Sequence, residues 1–107
     1  MLFTKKPSRE ELLKDEAHYR LYYLLTQRVC RPDDADYLIK HKLAWVNMRG
    51  SVQFDGDGLW KMKPGELVAF ARKYTLTPEE WEKGLNTQYA NNRMLIRACY
   101  DLEGIEY

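Results

Sequence analysis

The sequence predicts an α+β fold: two N-terminal helices packed on a small twisted antiparallel sheet, followed by C-terminal helices. Three observations predict it. Apolar residues recur at Leu13, Ala17, Leu21, Leu24 and Leu25, the three-and-four spacing of one helical face. After Leu43 that period gives way to short strand-forming runs separated by glycine. It returns after Thr77-Pro78-Glu79-Glu80, where Thr caps, Pro takes the first position and Glu80 closes a capping box.

Residues 1–7 read as a flexible lead. Ser8-Arg9-Glu10-Glu11 is a capping-box pattern, and a first helix is expected from Arg9 to Arg28. Its tyrosines Tyr19, Tyr22 and Tyr23 are expected in core and interface packing. Pro32 suits the first turn of a second helix, Pro32 to His41, with Asp33 and Asp34 at the positive end of its dipole. Leu43 to Val46 reads as a strand, and Ser51 to Phe54 as its partner across a turn at Gly50. Asp55-Gly56-Asp57-Gly58 reads as a loop, and Leu59 to Met62 as a further short strand. Trp45 and Trp60 are expected at buried strand positions. Pro64-Gly65 has the chemistry of a type II turn with Gly65 at positive φ, leading to a last strand, Leu67 to Phe70. In the next helix Trp81, Leu85 and Tyr89 fall four apart and predict one sticky face for a protein partner. Arg93 to Tyr100 predicts a final helix, with Asp101 to Tyr107 frayed.

A chain of 107 residues is long enough for one compact core. No apolar run reaches the length that spans a bilayer, and the start resembles neither a secretory signal nor a cleavable transit peptide. Cys30 and Cys99 form no C-x-x-C pair and have no His at zinc-ligand spacing. Two free thiols are expected, with one long-range disulfide as the alternative. Asp55 and Glu66 stand at positions one and twelve of a calcium-type loop, but Trp60 occupies the place that requires glycine, so no metal is expected. Nothing reads as a nucleotide loop, an activated nucleophile or a paired acid and base. The expectation is a protein that is not an enzyme, with no cofactor and no small-molecule substrate.

The formal charge of +1 is unevenly spread. Residues 1–18 balance at zero; residues 19–74 carry ten basic and six acidic side chains; residues 75–107 carry three basic and six acidic. These limits also divide the chain into an N-terminal lead with the start of the first helix, a middle domain and a C-terminal helical extension. The positive excess of the middle part has the sign that phosphate contacts require.

Within that part Ala35, Leu38-Ile39, Lys40-His41, Val46-Asn47 and Lys63-Pro64-Gly65-Glu66 follow one another at spacings that resemble the S-four RNA-binding module, the family of small-subunit ribosomal protein four. The resemblance covers residues 19–72. It implies two helices against a small sheet, and structured RNA, in particular ribosomal RNA, as partner. The RNA-binding residues it points to are Arg28, Arg31, Lys40, Lys42, Arg49, Lys61 and Lys63. Asn47 would shape a turn. Lys42 and Met48 stand where the family has glycine, so a helix end that closes differently and a wider turn ending at Gly50 are expected. Asp33, Asp34 and Asp36 stand where the family offers serine and arginine. The implied role is a small-subunit ribosomal protein, intracellular and favouring the mitochondrial ribosome with the cytoplasm as the alternative, with neighbouring ribosomal proteins around its acidic C-terminal helices. The alternatives are a protein–protein interaction module and an accessory S-four-type factor in ribosome rescue or RNA modification.

Overall fold

The computed structural model describes residues 9–105. The expected lead and the Ser8 cap lie outside the described residues. The fold is α+β, mostly helical with one two-stranded antiparallel sheet.

Helix α1 (Arg9–Thr26) buries Ala17, Leu21 and Leu25, successive members of an i, i+4 row, at 1% exposure or less. Helix α2 (Pro32–Lys40) is short and sinks Leu38 into the core. It ends in a Schellman motif: Leu43 N–H donates to Leu38 O at 2.8 Å and Lys42 N–H to Ile39 O at 3.0 Å. Lys42 takes the left-handed position, with φ +59°. The helix therefore closes in the geometry that glycine usually adopts, not in a different one, and a lysine holds the glycine's place.

Strands β1 (Ala44–Val46) and β2 (Val52–Phe54) pair antiparallel, Ala44 opposite Phe54, Trp45 opposite Gln53, Val46 opposite Val52. The connecting turn ends at Gly50, with φ +83°, as the sequence predicts. The Asn47 carboxamide oxygen accepts the N–H groups of Arg49 and Ser51 at 2.9 and 3.0 Å, so Asn47 builds this turn. Val29 adds an isolated bridge to Gln53 on the other edge of β2.

From Asp55 onward the structure departs from the sequence reading. Gly56–Trp60 is helix α3, not a loop and a strand. Asp55 caps it by accepting the Asp57 N–H at 2.9 Å, and Leu59 is fully buried. The two glycines serve close packing. A Cβ on Gly56 would lie 2.8 Å from the Tyr22 hydroxyl, and one on Gly58 would lie 2.6 Å from the Lys42 carbonyl oxygen. Residues Pro64–Tyr74 form helix α4, so the expected type II turn and last strand are both absent there. Pro64 takes the first helical position, Gly65 has no positive φ, and Glu66 accepts the Lys63 N–H at 3.2 Å. Leu67, Val68, Phe70, Ala71 and Tyr74 then bury one helical face, and Phe70 meets Phe54 of β2 edge to face at 5.3 Å.

Helix α5 (Pro78–Lys83) starts with the reciprocal box that the sequence predicts: Glu80 N–H to Thr77 Oγ1 at 3.1 Å, Thr77 N–H to Glu80 Oε1 at 3.0 Å. It stops at Gly84, φ +58°, and a 3-10 turn (Gly84–Asn86) follows. Helix α6 (Ala90–Glu103) is longer than expected. Asp101 lies within it rather than in a frayed end, and Gly104 closes it in the left-handed region at φ +70°. Residues 106 and 107 lie outside the described residues. Helix α6 runs antiparallel along α1: Arg20 pairs with Asp101 at 3.4 Å, and Arg28 bonds Asn92 at 2.8 Å. Leu95, Ile96, Ala98 and Cys99 join Leu21, Leu25, Leu38, Phe54, Leu59 and Leu67 in a single buried cluster. Cys30 and Cys99 are both free and buried.

Candidate nucleic-acid interface

The basic residues singled out in the sequence fall into three places. Lys40 and Lys42 project from the end of α2, and both are exposed. Arg49 is exposed on the hairpin turn, its main chain fixed by Asn47. Lys42 precedes the three-residue strand β1 and Arg49 follows it, so the two stand beyond its opposite ends. Lys61 and Lys63 are exposed at the junction of α3 and α4. The loop carrying Lys42 touches α3 at Gly58. Among the described residues none of these five cations forms an ion pair.

Arg28 and Arg31 face elsewhere. The Arg28 guanidinium is half-buried and donates to the Asn92 carboxamide, whose Nδ2 donates in turn to Glu80 Oε2 at 3.1 Å. Burial lowers the Arg28 pKa from its ordinary value, and the Glu80 carboxylate partly offsets this. Glu80 is lowered by the Thr77 N–H bond first, with the charges of Arg28 and Arg31 adding to it. Arg31 is half-buried, and its Nη2 has no hydrogen-bond partner among the described residues. Arg28 thus ties the segment after α1 to the C-terminal helices, and Arg31 acts on Glu80 there through its charge.

Asp33 and Asp36 are exposed on α2 and Asp34 is half-buried. The first two occupied acidic positions, Asp33 and Asp34, lie in the first turn, at the opposite end of the helix from Lys40. A rise of 1.5 Å per residue separates them by about 10 Å along the axis, comparable to a Debye length at physiological salt.

The aromatic side chains are distributed differently from the sequence reading. Trp45 and Trp60 are not buried in strands: they are 48% and 57% exposed, and Trp60 lies in α3. Tyr19 and Tyr23 are exposed as well, while Tyr22 is half-buried with its ring 4.9 Å from Trp60. Trp81, Leu85 and Tyr89 do not share one helix, because α5 ends at Lys83. Trp81 and Leu85 pack against the core, and Tyr89 is exposed. Trp45 is the residue whose position sequence reasoning missed. The signal was the strand alternation, in which Ala44 points inward and Trp45 must then point out.

Trp45, Asn47, Met48, Arg49 and Gln53 line one open hollow of about 410 Å³ on the outer side of the hairpin. Its chemistry is an aromatic face, two carboxamides and a guanidinium. Among the described residues no group of His, Cys, Asp or Glu could hold a metal ion, and no helix is long and apolar enough to cross a membrane. Compared with known proteins, the chain matches no family, no curated sequence and no solved structure.

Proposed function

We propose that this chain binds structured RNA and catalyses no reaction, using the end of α2 and the outer side of the β hairpin. The observation that carries the reading is the set Lys40, Lys42 and Arg49: exposed, without ion-pair partners among the described residues, and running from the end of α2 to the hairpin turn. Such cations can follow a phosphate backbone by charge and shape, which is how folded RNA is met where its deep groove admits no side chain. Two helices leading into an antiparallel hairpin, with Asn47 building the turn, support the S-four resemblance over residues 19–54. Lys63-Pro64-Gly65 does not support it, since this stretch opens a helix. On that resemblance the RNA is ribosomal, and the setting is a small subunit of mitochondrial type with other ribosomal proteins alongside. An S-four-type accessory factor in ribosome rescue or RNA modification would use the same surface.

Replacing Lys40→Glu and Lys42→Glu together tests the reading. A filter-binding titration against a structured RNA should show weaker binding, with the helical circular dichroism unchanged. Unaltered affinity would remove this surface from consideration.

A second reading, a protein-interaction module, is favoured by a different observation. Tyr19, Tyr22, Asp57 and Trp60 line a shallow hollow of about 380 Å³ between α1 and α3. Exposed aromatics of this kind are enriched at protein interfaces. Native purification separates the two: RNA in the complex supports the first reading, a single protein partner without RNA the second.

A further inference from the structure

Trp45 occupies the middle of β1, with Gln53 directly opposite and Val29 bridged to Gln53 beyond it. Directly opposed residues share a face, so Trp45, Gln53 and Val29 form one row across the outer side. Asn47 follows Trp45 by two residues and stands on the same side. Its Nδ2 donates to Gln53 Oε1 at 3.1 Å, while its Oδ1 is taken by the Arg49 and Ser51 N–H groups. Every polar atom of the Asn47 side chain is thus engaged in holding the turn and orienting Gln53. The Gln53 Nε2 hydrogens have no acceptor among the described residues, and the Arg49 side chain is exposed beside them. The hollow therefore offers a flat apolar ring, a fixed amide donor at its edge and a cation at its rim.

We propose that Trp45 is a stacking platform for one unpaired base of an RNA loop or bulge, with Gln53 reaching the base edge and Arg49 the adjoining phosphate. The inference rests on the RNA reading and adds the kind of RNA element recognised there. A nucleotide fits the three groups: every base has a face to stack, an edge with acceptors and a charged phosphate next to it. Charge favours it as well, because Arg49 closes one end of the strand and Lys42 the other, and the hollow contains no carboxylate. Stacking on tryptophan tolerates any base, so the site distinguishes unpaired from paired RNA more than one sequence from another.

The test uses two RNAs, a stem with an unpaired loop and the blunt duplex of the same stem, with wild type, Trp45→Ala, Trp45→Phe and the Lys40→Glu, Lys42→Glu pair. Trp45 is exposed, and circular dichroism checks that each variant folds. Trp45→Ala should weaken binding to the looped RNA by roughly five- to 150-fold and leave the duplex unaffected. Trp45→Phe should recover most of that loss. Wild-type affinity for the looped RNA in Trp45→Ala, or an equal loss on both RNAs, would overturn the stacking site. If the lysine pair still weakens binding in that case, the RNA reading stands and only the platform falls. If wild type binds neither RNA, both fall together.

Discussion

Lys42 is the residue at which local strain and proposed function meet. A side chain in the left-handed region costs on the order of 1 kcal/mol, and the Schellman closure here would suit glycine better. Strain retained at such a position points to a use for the side chain. Lys42→Gly should therefore raise stability by about 0.5–1 kcal/mol in thermal melts. It should also weaken RNA binding and reduce the slope of log affinity against log salt by about one. A less stable variant, or one with unchanged binding, would contradict this account. The spacing of the sequence made the glycine position recognisable. It did not reveal that a lysine would adopt glycine's conformation, because the energy that holds it there comes from the Leu43-to-Leu38 and Lys42-to-Ile39 hydrogen bonds. Trp45 was misjudged for a related reason. Strand alternation told which way it points, but not that, among the described residues, that side stays open.

At the scale of elements, the misread segment runs from Asp55 to Phe70, and both errors have one origin. Turn residues also start helices. Pro64-Gly65 is as acceptable in the first turn of α4 as in a type II turn, and Glu66 with the run Leu67, Val68, Phe70, Ala71 and Tyr74 decides for the helix. Thr77-Pro78-Glu79-Glu80 was legible because threonine is an unambiguous cap, whereas Lys63 is not. The reason for Gly56 and Gly58 lies in tertiary neighbours, the Tyr22 hydroxyl and the Lys42 carbonyl, that no local pattern contains. Alanine substitutions separate the two kinds of glycine. Gly65→Ala meets open space in a helix and should be neutral or stabilising, by up to about 1 kcal/mol. Gly58→Ala must displace backbone and should destabilise by roughly 1–3 kcal/mol. Denaturant melts of the two variants check this, and a destabilising Gly65→Ala would return that segment to a turn.

Over the whole molecule, α6 lies against α1, and the C-terminal residues share one core with the hairpin and α4. That arrangement was not readable in advance. The sequence marked Arg93 to Tyr100 as an apolar helical stretch, but not which surface it would cover. Its buried Cys99 gives a pH signature. Burial pushes that thiol from its ordinary 9.0 up to about 12, with Arg72 offsetting part of the effect, and burial with help from Asp34 pushes Cys30 up to about 11. Both thiols stay protonated in the fold while the unfolded chain loses its protons first. The native state then binds more protons than the unfolded one, and stability falls as pH rises. Their contribution is fully present below about pH 9 and is lost progressively towards pH 11 and 12. Melting temperatures measured from pH 8 to 11 should fall less steeply for Cys99→Ala than for wild type, and parallel curves would refute the assignment. The central claim remains that the exposed cations around the hairpin hold structured RNA, and the salt dependence of RNA affinity tests it most directly. Log affinity of wild type should fall linearly with log salt concentration, and the slope should be shallower in the Lys40→Glu, Lys42→Glu variant. Binding that ignores salt, or no binding to structured RNA at low salt, would contradict the account.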